Sequence, residues 1–261
     1  MMLPIYQVDA FASRLFRGNP AAVVPLEEWL PDTVLLSIAL ENNLSETAYL
    51  VPAGNGYHIR WFTPVVEVDL CGHATLASAH VVFSELGFDG ETIEFQSKSG
   101  SLTVKRGESG YIMDFPAELS NSCDVPKLLI EGLGFEPDLV MKGTDYLAIV
   151  STQHQIEELA PDFRQLAQLD SRGVIVTAPG NDCDFVSRCF FPQTGVDEDP
   201  VTGSAHCQMT PYWVDRLGKS KLVAWQLSAR GGEVICQMQG DRVTLEGEAV
   251  KYMEGKIEIP L

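Results

Sequence analysis

The chain carries the same pattern twice. Arg60-Trp61-Phe62-Thr63-Pro64 returns as Arg188-Cys189-Phe190-Phe191-Pro192, 128 positions later, and Val68-Asp69 returns as Val196-Asp197 at the same spacing. Each copy then enters a short glycine-containing turn, Cys71-Gly72-His73-Ala74-Thr75 in one and Pro200-Val201-Thr202-Gly203-Ser204-Ala205 in the other. Each turn leads into a helical pattern that ends in Leu-Gly, at Leu86-Gly87 and Leu217-Gly218. Self-similarity at one long spacing constrains architecture. Two copies in 261 residues are too few for a solenoid. They imply a duplicated domain with a pseudo-twofold axis. The two turns are expected to face each other across a cleft, the kind of place where ligands bind.

Hydrophobic periodicity predicts helices near 31–42, 72–86, 125–133, 155–168 and 203–217. Strands are expected near 4–11, 21–24, 47–51, 57–62, 92–96, 101–105, 110–115, 145–150, 172–177 and 184–191, with a closing meander at 221–227, 232–239, 241–246 and 256–259. Small residues crowd the starts of two helices (Ala74, Ala77, Ser78, Ala79; Ser204, Ala205) and permit tight enclosure. The expected fold class is therefore α+β, with two pseudo-symmetric domains, each a curved mixed sheet or barrel around a central helix. The polar, turn-prone segment 116–122 sets the boundary, giving domains over 1–117 and 118–261 with the active-site cleft between them.

The formal net charge of −18 argues against nucleic acid as a partner, because an acidic surface repels phosphate backbones. A pocket can still bind an anion through backbone N–H donors. No apolar stretch approaches the ~20 residues needed to span a bilayer, and no secretory signal opens the sequence. The six cysteines form no CxxC pair and lack zinc spacing. Reduced thiols in the cytoplasm are the expectation, with no membrane partner and no metal.

The reactive side chains gather around the repeated turns. A helix N-terminus presents unpaired N–H groups and the positive end of the macrodipole. Gly72 and Gly203 let a ligand approach that backbone closely, so two such ends suit a carboxylate or a developing oxyanion. Glu46, at a strand mouth, can act as a general base if burial lifts its pKa towards neutrality. His73 at a helix start is pushed towards its neutral form by the dipole, which suits a proton shuttle. His80, inside the apolar stripe of the same helix, reads as a core histidine. Of Asp197, Glu198 and Asp199, the last sits nearest the turn and is the best candidate to point inward. Cys71 at a helix N-terminus is expected to have a lowered pKa and to serve as base or nucleophile. Its counterpart in the second copy reads as Pro200, so a symmetric pair of thiols is missing.

These residues, with their order and spacing, make the chain resemble the phenazine-biosynthesis PhzF-like proteins, which share the diaminopimelate epimerase-like fold. The segments that match are Asp9-Ala10-Phe11, Phe16-Arg17-Gly18-Asn19-Pro20-Ala21-Ala22-Val23-Val24, Leu44-Ser45-Glu46-Thr47-Ala48, Phe62-Thr63-Pro64, Leu70-Cys71-Gly72-His73-Ala74-Thr75 and Glu198-Asp199-Pro200-Val201-Thr202-Gly203-Ser204-Ala205. The resemblance implies an isomerase that needs neither metal nor organic cofactor and is commonly a homodimer. It makes Glu46 the residue that moves a proton between carbons, with His73, Asp199 and Ser204 as helpers. Ser45, Gly72, Ala74, Thr202 and Gly203 would bind a small anionic or zwitterionic metabolite, and Asn19 and Cys71 would be further participants. In the epimerases of this fold two cysteines flank the substrate's α-carbon. Here one is present as Cys71 and the other is read as Pro200, which argues against stereoinversion by a thiol pair.

The expectation is thus a cofactor-independent isomerase working by general acid–base catalysis on a small carboxylate-bearing metabolite. The alternatives are an epimerase or racemase of an amino or hydroxy acid, with Glu46 and Cys71 as opposed bases, and a small-molecule-binding protein that performs no reaction.

Overall fold

The structure is a computed structural model and describes residues 1–259. Its elements begin β1 (Met2–Ala10), β2 (Asn19–Pro25), α1 (Asp32–Asn42), β3 (Glu46–Ala53), β4 (Gly56–Phe62), β5 (Glu67–Val68), α2 (Gly72–Ser84), β6 (Thr92–Ser97), β7 (Gly100–Arg106) and β8 (Tyr111–Pro116). There follow β9 (Asn121–Ser122), α3 (Lys127–Leu133), β10 (Leu139–Lys142), β11 (Tyr146–Ile149), α4 (Gln153–Glu157), α5 (Phe163–Leu166), β12 (Val174–Pro179) and β13 (Phe185–Phe191). The chain continues with β14 (Val196–Asp199), α6 (Gly203–Leu217), β15 (Lys221–Gln226), β16 (Gly232–Gln239), β17 (Arg242–Gly247) and β18 (Ala249–Glu258).

Two compact units result: Met1–Asp114 with the segment from Glu246 onwards, and Phe115–Leu245. The division drawn from the sequence, 1–117 and 118–261, puts the last strand in the second unit. In the structure β18 instead pairs antiparallel along β1, from Met2 opposite Glu258 to Ala10 opposite Ala249, and those ladder bonds tie it to the first.

In the first unit β1 and β2 are antiparallel, β2 and β3 parallel, β3 and β4 antiparallel, β4 and β6 parallel, and β6 and β7 antiparallel. The second unit repeats that series of senses through β10, β11, β12, β13, β15 and β16. The sequence repeat is therefore a repeat of topology. Each parallel pair needs a crossover. α1 supplies it between β2 and β3, and α4 with α5 supplies it between β11 and β12.

The central strands are buried on both faces. Ala22 and Val24 of β2 join Leu35 and Ile38 of α1 in one apolar cluster. The alternate residues Ala21 and Val23, which project the other way, are equally buried, and α2 packs against β1, β2 and β3. α2 is buried from His73 to Ala79 and again from Val81 to Phe83, which is what an enclosed helix requires. In the second unit α6 is buried from Ala205 through Thr210, and a separate cluster joins Leu129, Ile156, Leu166, Val174 and Phe190.

The repeated arginine has a structural job. Residues two apart on a strand share a face, so Arg60 lies over the Phe62 ring at 5.1 Å and Arg188 over Phe190 at 5.2 Å. Each then forks onto a glutamate. Arg60 donates to Glu67 at 2.7 and 2.8 Å, and Arg188 to Glu198 at 2.7 and 2.9 Å. These bidentate pairs brace β4 against β5 and β13 against β14.

Several elements differ from the periodicity. The helix expected over 155–168 is split into α4 and α5, because Pro161 cannot donate to a helical ladder and disfavours helix in the residue before it. The strand expected at 256–259 is only the far end of β18, and β5, β9, β10 and β14 were not anticipated. α6, conversely, runs through Pro211. The carbonyl that proline leaves without an intrahelical donor, that of Cys207, accepts from the Glu118 N–H at 3.1 Å.

The same helix holds a histidine without a sequence signal. His206 is fully buried and donates through Nδ1 to the Thr202 carbonyl at 2.7 Å. Burial lowers its pKa to about 4 despite that bond. The folded state thus resists protonation while the unfolded chain accepts it near 6.5. Stability from this group is fully present above the unfolded pKa and is lost as pH falls from there towards 4. Urea titrations at pH 7 and pH 5 are expected to differ by about 2 kcal/mol through His206. An unchanged pH dependence in His206→Gln would exclude this residue as the source.

Candidate active site

Glu46 is the first residue of β3 and Asn19 the first of β2; these parallel strands are in register with Ala21 opposite Glu46. α2 starts at Gly72, with Cys71 as an extended N-cap residue. These three starts bring five polar residues together. Glu46 Oε2 lies 3.1 Å from His73 Nε2. On the other side of the ring, Asn19 Nδ2 is 3.2 Å and Cys71 Sγ 3.6 Å from Nδ1. Ser45 Oγ reaches Asn19 Oδ1 at 3.5 Å, a long contact that orients more than it binds. Glu46 retains 18% side-chain exposure, whereas His73 and Cys71 are buried. Glu46 Oε2 and His73 Nε2 are close but poorly aligned, and neither buried atom has a hydrogen-bond partner.

Local sequence explains the placement. Gly18 has φ +64°, and a Cβ there would come within 2.1 Å of the Ala10 carbonyl, so only glycine permits the turn that delivers Asn19. Thr47 anchors the approach to Glu46 by accepting from Asn42 Nδ2 at 3.1 Å.

Two expectations about charge are corrected. The Cys71 thiol is not lowered: burial, with Glu46 beside it, pushes it up to about 11 and outweighs any help from the helix end. Nor does His73 simply shed its charge. Burial works against a positive ring, but the negative charges that Cys71 and Glu46 can carry outweigh it and hold His73 well above its ordinary range. The stronger of those two pulls needs a thiolate. Near neutral pH the thiol is protonated and that pull is absent; burial, the largest influence of all, and the amide N–H and S–H that face Nδ1 then favour the neutral ring.

Glu46, Cys71 and His73 each bring one N, O or S atom within 4.8 Å of the others. A single ion can take only one imidazole nitrogen, whereas Glu46 and Cys71 approach opposite ones. Those opposed contacts suit a hydrogen-bonded imidazole better than a shared ion.

In the second unit, Asp199 accepts from Thr202 Oγ1 at 2.6 Å, while Gln226 Nε2 donates to the Asp199 carbonyl at 2.7 Å and Gln226 Oε1 accepts from the Thr202 N–H at 2.9 Å. Of the three adjacent acids, Glu198 is taken by Arg188 and Asp197 is exposed. Ser204, the second residue of α6, accepts from Arg172 at 3.0 Å, and Arg172 also forks onto the fully buried Asp145. Gln226, Arg172 and Asp145 were missed from sequence, because nothing in their neighbourhoods marks them.

The register corrects the counterpart of Cys71. The two helices begin at Gly72 and Gly203, and their extended N-cap residues are Cys71 and Thr202, so Thr202 and not Pro200 occupies the equivalent place. Strand pairing aligns Thr47, opposite Phe62, with Val174, opposite Phe190. Glu46 therefore corresponds to Gly173 and His73 to Ser204. At Gly173 a Cβ would meet Phe191 at 2.2 Å and the Phe190 carbonyl at 2.5 Å. The second unit has no room for a second Glu46, and its equivalent helix start carries no thiol.

Comparison with known proteins identifies the family and the fold. The family model described as "Phenazine biosynthesis-like protein" matches residues 8–255. An uncharacterized isomerase of Pseudomonas aeruginosa is 51% identical over 259 residues, covering 99% of this chain and all of that one. The crystal structure of a PhzF-family phenazine biosynthesis protein from Enterococcus faecalis superposes with a TM-score of 0.97 at 45% identity, covering 99% of this chain and 100% of that chain. A hydroxyproline epimerase from Agrobacterium vitis shares the fold alone, with a TM-score of 0.63 at 9% identity and coverage of 98% and 92%. The chain is an α+β protein of the phenazine biosynthesis-like family, whose named relatives include isomerases.

Proposed function

We propose that the protein is an isomerase that moves a proton between carbons of a small carboxylate-bearing metabolite, with Glu46 as the base. The observation that carries this reading is the Glu46–His73 contact: two buried atoms, Oε2 and Nε2, lie 3.1 Å apart, each with an unfilled hydrogen-bonding direction. Such a pair can receive a third atom. The Glu46 carboxylate takes the proton of an activated C–H, the electron pair passes through the conjugated system to the carbonyl as an extended enolate, and the carboxylic acid, whose O–H exchanges with solvent, delivers a proton to another carbon. His73, donating from Nε2, steadies the carboxylate between the two steps. Positioned acid–base catalysis contributes about 10²–10⁴-fold. Backbone N–H groups at the start of α2, with Ser45 and Ala74, bind the substrate's charged groups. No metal or organic cofactor enters these steps. The protein acts as a homodimer, as the family resemblance implies, and in the cytoplasm, where its six free cysteines stay reduced.

A two-base epimerase is the nearest rival. It needs Cys71 as a second base, and a buried thiol pushed up to about 11 is a poor one at neutral pH. The equivalents of Glu46 and His73 in the second unit, Gly173 and Ser204, supply no replacement. Candidate amino, hydroxy and unsaturated ring acids incubated in D₂O with wild-type protein test the reading by NMR. Deuterium incorporation with migration of a double bond is expected; tight binding of such acids without any exchange would leave a binding protein. Cys71→Ala is expected to retain the rate within a few-fold, and loss of all activity in that variant would favour the epimerase.

A further inference from the structure

Three groups meet His73 and divide its two ring nitrogens. Glu46 Oε2 lies 3.1 Å from Nε2, while Asn19 Nδ2 and Cys71 Sγ lie 3.2 and 3.6 Å from Nδ1. In a neutral imidazole one nitrogen donates and the other accepts, and the neighbours decide which. A carboxylate only accepts, so it favours a proton on Nε2. An amide nitrogen only donates, so it requires a lone pair at Nδ1. The protonated thiol offers its S–H to the same lone pair.

The orientation of the Asn19 amide is therefore decisive, and it is set from behind. Oδ1 faces the Ser45 hydroxyl, which donates to it, and the side chain sits wholly buried at the start of β2, after the obligatory glycine turn at Gly18. Turning the amide over would break the Ser45 contact and bring Oδ1 against the Nδ1 lone pair.

We propose that Asn19 is the positioning residue of this centre, holding His73 in the neutral tautomer whose proton sits on Nε2 and points at Glu46. The ring then has no second proton at Nδ1 to release, and its one donor faces the atom that handles the substrate's proton. Ser45 acts through Asn19 in this scheme. Only the kinetic consequence rests on the acid–base reading above; the tautomer itself is a property of the resting protein.

Nitrogen NMR of protein labelled with ¹⁵N-histidine tests it, with His73 assigned by loss of its signals in His73→Gln. At neutral pH the wild type is expected to show a protonated Nε2 and an unprotonated Nδ1. A protonated Nδ1, in the other tautomer or in the imidazolium, overturns the proposal. Asn19→Asp exchanges the donor for an acceptor and is expected to place a proton on Nδ1, with proton exchange on substrate slowed about 10²-fold. Asn19→Leu removes the donor without adding a buried charge, and is expected to give a mixture of tautomers. Spectra of both variants identical to the wild type would equally refute the role. The expected tautomer in a protein that exchanges no carbon-bound proton would count against the proposed reaction alone.

Discussion

Glu46→Gln is expected to lower the rate of solvent-deuterium exchange about 10²–10⁴-fold while leaving the fold intact. The substitution keeps the side chain's length and shape, and its amide oxygen can still face His73 Nε2. What it loses is the ability to take a proton from carbon. Because the side chain is partly exposed at a strand start, little packing depends on its charge. Substrate binding is expected to survive, so the loss falls on kcat and not on KM. Exchange at the wild-type rate would remove Glu46 as the base and shift attention to His73.

Arg172→Met is expected to destabilise the protein by about 3–5 kcal/mol, the usual result of stranding a buried charge. Asp145 is fully buried, and both of its carboxylate oxygens are taken by the Arg172 guanidinium. The arginine itself is only partly covered, so methionine loses little packing. The cost comes from the carboxylate left behind. Arg172→Met combined with Asp145→Leu should therefore recover much of the loss, as apolar replacements of buried ion pairs often do. Chemical unfolding of the two single variants and the double variant checks this. A double variant no more stable than Arg172→Met would mean that the pair acts through something other than its charges.

The sequence disclosed the duplication because its markers are covalent neighbours of the strands they brace. Arg60 and Phe62 must share a face, and so must Arg188 and Phe190. Asn19, Cys71 and His73 were legible because they sit beside a glycine at the start of an element, and Glu46 because it follows a helix and opens an apolar strand. Their charge states were not, since they depend on burial and on one another: the dipole alone lowers a thiol, but enclosure raised this one to about 11. Arg172, Asp145 and Gln226 were invisible for a related reason. Their importance lies in partners 24–32 positions away, reached only once strand register is known. The counterpart of Cys71 was misread by counting along the chain, where three extra residues before α6 shift the alignment.

The return of β18 to β1 bears on how the protein is made. On a ribosome, residues 115–245 of the second unit emerge as one continuous stretch, and everything they pack against within that unit is present by Leu245. The first unit, although synthesised earlier, must wait. Until residues 249–258 leave the exit tunnel, β1 has β2 on one side and an unpaired edge on the other. An open edge invites pairing with another chain. The half of the molecule that begins first is thus completed last, and the Glu46–His73 centre belongs to that half.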